Sequence, residues 1–232
     1  MYFKNFPRTY FSLDNYKSAT LFTNLLIRTK FLDEVLSNYV FYDKYNIKDG
    51  ESPEVTSDVF YGDSELHWTI LHANNILDPR FGWVFSPFQL KKYTEGKYAN
   101  INAVHHYEDA NLFVTNANLT IVSSTTLSTL FDVNAVIENN TSSGVAIITA
   151  KNSGTSINVL TSTGGFISGD QVVLSSNNAV SANIVSVTIN SGIPITNVKH
   201  EDRENEKRRS IQVLKAEVVG EAIQEFQAVM KK

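Results

Sequence analysis

The most constraining feature of this 232-residue sequence is a long central segment that carries almost no charge. The segment runs from residue 111 to residue 197 and is rich in serine, threonine, asparagine, valine and isoleucine; its charged residues are Asp132, Glu138, Lys151 and Asp170. The preceding 110 residues are aromatic-rich and mixed in charge, and charge returns densely in "KHEDRENEKRRS" from Lys199. A segment so different from both flanks predicts an inserted domain.

The central segment also contains an internal repeat. "FDVNAVIENNTSSGVAII", beginning at Phe131, aligns with "FISGDQVVLSSNNAVSAN", beginning at Phe166, and "SINVLTSTGG" lies between them. Each copy reads as a phenylalanine, a short turn, a valine-rich strand, a Ser/Asn tip and a second alternating strand. Short strands punctuated in this way predict a small antiparallel barrel or sandwich, and the pattern leaves both open.

Residues 45–79, "YNIKDGESPEVTSDVFYGDSELHWTILHANNILDP", carry the densest turn and cap signals. A strand and a turn at Asp49-Gly50 precede a helix capped by Ser52, with proline at its first position. Gly62 ends that helix, Asp63 or Ser64 caps a second one, and Asn74-Asn75 ends it before extended chain. The inward-facing residues are expected to be Val55, Val59 and Phe60 in the first helix and Leu66, Trp68, Ile70, Leu71 and Ala73 in the second.

The two ends of the chain are predicted to be apolar arms. An extended aromatic stretch, Tyr2 to Leu13, leads into a helix from about Ser18 with Leu21, Leu25 and Arg28 on one face, and a short helix follows at 31–39. At the other end "SIQVLK" predicts a strand. The helix after it has an apolar stripe of Val219, Ala222, Ile223, Phe226 and Met230.

Composition excludes several classes of function. A net charge of −4 and a pI near 5.7 provide no basic surface for nucleic acid. Because cysteine is absent, there is no disulfide framework, thiolate metal site or cysteine nucleophile. We expect no signal peptide and no membrane-spanning helix, because no apolar run is long enough.

Candidate catalytic and metal-binding residues are few. His105 and His106 lie near Glu108 and Asp109, but adjacent side chains on an extended strand point to opposite faces, so a shared ion is not expected. His67 and His72 lack the four-residue helical spacing of a ligand pair, and His200 sits within a charge run. Nucleophile elbows, phosphate loops and dinucleotide fingerprints are absent from the sequence, so the prediction is a non-enzyme without metal or cofactor.

Residues 45–79 resemble LysM modules, in which a strand ends in I-x-x-G-(D/E)-(S/T), one helix ends in Y-G and a second ends in N-N-(I/L)-x-(D/N)-P. The matching positions are Ile47, Gly50, Glu51, Ser52, Tyr61, Gly62, Trp68, Asn74, Asn75, Ile76, Asp78 and Pro79. This resemblance implies a βααβ core over about residues 43–98. It also implies the alternative function, a peptidoglycan- or chitin-binding module with its groove at residues 51–53 and 76–79.

A second resemblance covers residues 1–110 and 196–232. "YFKNFP", residues 49–79, "KYANINAVHHYED" and "NEKRRSIQVLK" are together similar to baseplate wedge proteins of the gene-fifty-three type, from contractile-tailed phages of the T-even kind. The resemblance implies a structural subunit of the virion tail baseplate, assembled in the host cytoplasm in multiple symmetric copies. It would join wedge proteins and neighbouring wedges around the hub, in contact with other wedge, hub and sheath-initiating proteins.

The predicted fold class is therefore α+β. It combines a LysM-like βααβ core, a helical N-terminal arm, an inserted antiparallel β-barrel or sandwich and a C-terminal amphipathic helix. The predicted divisions are an N-terminal arm (1–42), the LysM-like domain with the following extended segment (43–110), the inserted β-domain (111–197) and a C-terminal connector, strand and helix (198–232).

Contacts with neighbouring subunits are predicted where large apolar or cationic side chains sit on the arms, because aromatic anchors dominate interface energies and charge pairs set partner choice. The interface candidates are Tyr2, Phe3, Phe6, Tyr10, Phe11, Trp68, Arg208, Arg209, Ile223, Phe226 and Met230.

Overall fold

The computed structural model describes residues 5–12, 18–24, 27, 39–141 and 143–230. In chain order its elements are β1 (Arg8–Phe11), β2 (Thr20–Thr23), β3 (Tyr42–Asn46), α1 (Pro53–Tyr61), α2 (His67–Ala73), α3 (Pro79–Gly82), α4 (Pro87–Lys97), β4 (Val104–Glu108), β5 (Val114–Thr115), β6 (Asn118–Ser123), α5 (Leu127–Leu130), β7 (Val136–Asn139), β8 (Val145–Ser153), β9 (Ser156–Thr163), β10 (Gln171–Leu174), β11 (Asn177–Ile189), β12 (Ile193–Thr196), α6 (Asn197–Lys207), β13 (Ser210–Leu214) and α7 (Ala216–Met230). This mixture of helices and segregated antiparallel sheets confirms the α+β class. The described residues up to Ser86 and from Asn205 onward form a first compact unit, and residues 87–204 form a second.

A two-stranded sheet built from distant parts of the sequence organises the first unit. Strand β13 pairs antiparallel with β3, from Ser210 opposite Asn46 to Leu214 opposite Tyr42. Helices α1 and α2 connect to β3 in sequence, and the apolar core beneath them contains Ile47, Ile70, Trp83, Val84, Ile211 and Val213. The sequence prediction of a strand at "SIQVLK" is confirmed.

The cap residues of α1 and α2 lie where the sequence predicts them. The backbone amide of Val55 donates to Ser52 Oγ at 3.4 Å at the start of α1. Gly62 ends α1 with φ +68°, a left-handed conformation that glycine adopts without steric cost. Asp63 caps the 3-10 turn that leads into α2, and Asn75, with φ +54°, follows the end of α2.

The inward face of α1 differs from the prediction at its two valines, whereas Phe60 packs against the core as predicted. Val55 and Val59 are 51% and 66% exposed, whereas Thr56 and Ser57 are fully buried. The hydroxyl groups of these two residues are satisfied locally: Thr56 Oγ1 donates to the Ser52 carbonyl and Ser57 Oγ to the Asp63 carbonyl. Because small hydrogen-bonded side chains permit close helix packing, α1 buries its polar face and exposes its valines.

The chain after α2 is also different from the prediction. Helices α3 and α4 occupy residues 79–97, where extended chain completing a βααβ core was expected. The strand that pairs with β3 is β13, far along the sequence. The LysM-like core over residues 43–98 is therefore not confirmed. The signal at Asp78-Pro79 is that of a helix start, because the backbone amide of Arg80 donates to Asp78 Oδ1.

The helix predicted from Ser18 is wrong over residues 20–23, which form strand β2. This strand pairs antiparallel with β1, with Tyr10 opposite Leu21 and Thr9 opposite Phe22. Thr20 and Thr23 flank Leu21 and Phe22, and β-branched residues such as threonine favour strand over helix. Leu25, Arg28 and most of the helix predicted at 31–39 lie outside the described residues; Tyr39 begins a 3-10 turn, Tyr39–Phe41.

The second unit contains a closed six-stranded barrel with strand order β10-β11-β6-β9-β8-β7. All of its pairings are antiparallel. Phe131 and Phe166, the leading residues of the two sequence repeats, are both buried in its core. Of the two architectures that the sequence left open, the structure has the barrel.

The sequence repeat is also a repeat in the strand pairing and hydrogen bonding of the barrel. The amide of Asn134 donates to the carbonyl of Ile148 at 2.8 Å, and the equivalent amide of Gly169 donates to Ile184 at 2.9 Å. Between the copies, β7 pairs with β10 around Glu138 opposite Val173. Each copy therefore contributes equivalent strands, and neither can close the barrel alone.

Strand β4 shares the core of this barrel. Val104 and Tyr107 are buried in one cluster with the barrel residues, and a side chain at Gly165 would collide with Val104 Cβ at 2.3 Å. Strand β12 pairs with β4 next to the barrel, from Ile193 opposite Glu108 to Thr196 opposite Val104. The unit boundaries consequently fall at 86/87 and 204/205, outside the composition boundaries at 110/111 and 197/198. Composition indicates which segments carry surface charge. It does not indicate which segments share a hydrophobic core.

Within the described residues, no helix has the length and apolar character needed to cross a membrane.

Candidate functional site

The hairpin formed by β1 and β2 is the most exposed apolar feature of the N-terminal region. Every residue of both strands is exposed. Tyr10 and Phe11 are 73% and 56% exposed, and Leu21 and Phe22 on the opposite strand are exposed as well. An isolated two-stranded ribbon is marginally stable in water, so apolar residues on it are typical of a contact surface.

Other interface candidates pack inside the first unit. Phe6, Trp68, Phe226 and Met230 are buried together, with the half-buried Ile223 against them. The rings of Trp68 and Phe226 have centroids 4.7 Å apart. The C-terminal stripe thus covers α2 of its own chain. Tyr2 and Phe3 lie outside the described residues, and interface roles for all these side chains remain a prediction.

Arg208 and Arg209 have partners within the first unit. The guanidinium of Arg208 lies 5.3 Å from the centroid of the Phe85 ring. Arg209 pairs with Asp49 at 2.8 Å and with Glu206 at 2.8 Å, and it donates to the carbonyl of Ile47. The hydrogen bond from Arg209 lowers the pKa of Glu206. Arg209 therefore ties the end of β3 to the start of β13, and Arg208 packs against Phe85.

The loop expected to line a glycan groove is engaged in internal contacts. The Glu51 carboxylate accepts a hydrogen bond from Tyr45 Oη at 2.8 Å and one from the backbone amide of Lys48 at 3.0 Å. The Glu51 carbonyl accepts from Trp83 Nε1 at 2.7 Å. On the other side of the expected groove, α3 packs so closely on Ile76 that a side chain at Gly82 would meet Ile76 Cγ2 at 2.7 Å.

A histidine cluster in the second unit was not expected from the sequence. His105, His106 and His200 each place one ring nitrogen so that all three nitrogens lie within 4.8 Å of one another. The two Nδ1 atoms of His105 and His106 are 2.8 Å apart. The rings of His105 and His200 stack at 3.8 Å between centroids and 10° between planes.

A β-bulge explains why adjacent histidines share one side of the strand. In the pairing of β4 with β12, Ile195 lies opposite His106 and Thr196 opposite Val104, so His105 is the extra residue. A bulge interrupts the alternation of side chains that a regular strand imposes. The expectation that the two histidines point apart was wrong for this reason.

Charged groups surround the cluster. The Glu108 carboxylate accepts hydrogen bonds from His106 Nε2 at 3.1 Å and from Arg203 Nη1 at 2.7 Å. Hydrogen bonds from Arg203 and then from His106 lower the pKa of Glu108. Burial would raise the pKa of Glu201, but hydrogen bonds from Lys97 and Tyr98 lower it below its usual value.

Sequence reasoning missed His200 because it sits in a run of charged residues on α6, far from β4 in the chain. Its signal is positional: β4 and α6 flank the charge-poor segment, so an insertion with adjacent ends would bring the two histidine-bearing segments together. The structure shows this adjacency, because the amide of Asn197 donates to the Ala103 carbonyl at 3.0 Å.

Comparison with known proteins gives two results. Residues 7–117 match a family described as "Base plate wedge protein 53". The chain is also 31% identical over 68 residues to the baseplate wedge protein gp53 of Enterobacteria phage T4. This alignment covers 28% of the chain and 35% of the T4 protein, so the chain spans about a third of the length of the curated relative it matches. These results confirm the resemblance to baseplate wedge proteins of the gene-fifty-three type that the sequence motifs predicted, and they do not test the resemblance to LysM modules.

Proposed function

We propose that the chain, whose residues 7–117 match the family described as "Base plate wedge protein 53", is a structural subunit that joins wedge proteins to one another and neighbouring wedges around the hub. The family supports a structural role in the tail baseplate of the virion. The proposed partners are other wedge, hub and sheath-initiating proteins of the same tail, bound by protein–protein contacts in a symmetric assembly.

The exposed hairpin β1–β2 carries this proposal. It lies within the matched residues and leaves Tyr10 and Phe11 exposed to solvent, with no covering element among the described residues of the first unit. Each aromatic side chain buries a large area at a low entropic cost when a partner covers it. A wedge-joining subunit needs an apolar contact surface of this kind.

We further propose that the LysM-like arrangement is discontinuous here. The strand β3 and helices α1 and α2 follow the LysM order, and β13 takes the place of the second strand after the intervening 87–204 unit. In this arrangement the module pairs a strand that precedes the 87–204 unit with a strand that follows it, and so serves as a structural scaffold. The internal contacts of Glu51 favour a scaffold role for this module and not a glycan-binding role.

The test is a double variant, Tyr10→Ser with Phe11→Ser, co-expressed with the neighbouring wedge proteins of the same phage. Both side chains are exposed, so the variant should keep its thermal midpoint. Interface aromatics contribute about 2 kcal/mol or more each, so its recovery in purified wedges should fall at least about tenfold.

Thr9→Ser on the same hairpin is the matched control and should be recovered at the unsubstituted level. Undiminished recovery of the double variant in wedges would show that the hairpin is not a joining surface.

A further inference from the structure

We propose that His105, His106 and His200 form a binding site for one late first-row divalent transition-metal ion, best matched by zinc, that ties β4 to α6. The three ring nitrogens within 4.8 Å of one another are the basis of the proposal. The inference concerns the second unit and does not depend on the proposed role in the baseplate.

The donor set selects the class of ion. Three imidazoles suit zinc, copper and nickel, whereas magnesium and calcium require oxygen ligands. The nearby carboxylates are already engaged: Glu108 by Arg203, and Glu201 by Lys97 at 2.7 Å. The site therefore offers three nitrogen ligands and a fourth position for water or for a side chain of a neighbouring protein.

Hydrogen bonds outside the cluster orient His106 for metal binding. Its Nε2 faces Glu108 at 3.1 Å, and Arg203 holds that carboxylate with contacts to both oxygens, at 2.7 and 2.8 Å. A proton on Nε2 leaves the lone pair of Nδ1 directed at His105 Nδ1, 2.8 Å away. In zinc proteins a carboxylate commonly fixes a ligating histidine in this way.

The cluster is compact enough for one ion after a small movement. A metal lies about 2.0–2.1 Å from a ligating imidazole nitrogen and in the plane of its ring. The parallel rings of His105 and His200, 3.8 Å apart, cannot share an ion in this orientation. The half-buried His200 must therefore turn about its side-chain bonds. The movement converts a stacking contact into a coordination bond.

Such an ion would link β4 to α6, the two elements that precede and follow the barrel strands in sequence. Strand β4 and helix α6 are joined through the whole of the barrel and β12, so an ion between them closes a long loop. Because the three nitrogens come together only in the folded chain, the ion binds the folded state and stabilises it against unfolding. The expected consequence is a more stable second unit, with no new reaction.

The experiment uses the full chain, first stripped with a chelator and dialysed, and then titrated with zinc chloride. Calorimetry should show one equivalent bound per chain. At free zinc about 100 times the dissociation constant, the thermal midpoint should rise by roughly 5–10 °C. Cobalt should give the visible spectrum of a nitrogen-ligated ion, and magnesium chloride at the same concentration should change nothing.

Variants separate this site from adventitious binding. His200→Gln, which removes a half-buried side chain on a helix surface, should weaken zinc binding at least tenfold, with any zinc-dependent shift measured from the variant's own metal-free midpoint. Glu108→Gln should weaken binding about 10–100-fold while retaining the cobalt spectrum. His67→Gln, outside the cluster, should bind zinc normally. Absence of a zinc-dependent shift, or an unchanged affinity in His200→Gln, would overturn the proposal.

Discussion

At the scale of the residue, the motifs that carry the family resemblance have structural roles. Asn205 in "NEKRR" is buried and its side-chain amide pairs with both backbone groups of Phe85: the Phe85 amide donates to Oδ1 at 2.7 Å, and Nδ2 donates to the Phe85 carbonyl at 3.1 Å. Asn74 does the same for Gln212 on the edge of β13. Cap residues such as Ser52 and Gly62 were predictable because their chemistry is local. These long-range amide pairs were not, because their partners lie far away in the sequence.

Replacing Asn205 with alanine should destabilise the protein by about 1–3 kcal/mol, because the amide and carbonyl of Phe85 would each lose a hydrogen bond to the Asn205 side chain. The measurement is urea-induced unfolding followed by circular dichroism. Asp202→Ala on the exposed side of the same helix is the control and should stay within about 0.5 kcal/mol of the parent. Equal midpoints for the two variants would contradict the assigned role of Asn205.

At the scale of the element, strand and helix types were predictable where periodicity is strong and contacts are local. The barrel strands follow their alternating pattern, and the repeat beginning at Phe131 and Phe166 proved to be a structural repeat. The prediction failed where tertiary contacts decide: β2 is a strand because it pairs with β1, and α1 turns its valines outward because Thr56 and Ser57 hydrogen-bond internally. The histidine cluster depends on a β-bulge, and the hydrophobic periodicity of the sequence does not predict where a bulge occurs.

The βαα segment formed by β3, α1 and α2 is expected to bind protein and not glycan. Glu51 is held by Tyr45 and Lys48, and Gly82 packs against Ile76, so both sides of the expected groove are occupied by the chain itself. Isothermal titration with peptidoglycan fragments should show no saturable heat. Saturable binding in the micromolar range that is lost on replacing Leu77, which is exposed on the second loop, with serine would establish a glycan site instead.

At the scale of the whole molecule, the chain has two compact units, and whether the first folds without the second can be tested. Phe85 and Asn205 lie in hydrogen-bond contact, so the ends of the first unit on either side of residues 87–204 are close together. The second unit carries the barrel and the histidine cluster, and the first carries the exposed hairpin. The limits that composition predicted for the insertion, 110/111 and 197/198, lie inside the second unit, because Val104 and Tyr107 belong to a charged flank and yet share the barrel core.

Replacing residues 87–204 with a short Gly-Ser linker should leave a first unit that unfolds cooperatively. The matched comparison replaces only residues 111–197, which keeps β4 but removes the core that covers Val104 and Tyr107. Because that shorter deletion exposes buried apolar side chains, it should be the less soluble of the two and should bind more of a hydrophobic dye. Scanning calorimetry and dye fluorescence give the result. Loss of cooperative unfolding in the longer deletion would mean that the first unit does not fold alone.

A cryo-electron microscopy map of the assembled phage tail tests the central claim most directly. The account predicts density for this chain within each baseplate wedge, with Tyr10 and Phe11 of the β1–β2 hairpin buried against a neighbouring wedge protein. A tail that assembles without this chain in its baseplate, or that leaves the hairpin fully exposed to solvent in every copy, would contradict the proposal that the chain joins wedge proteins.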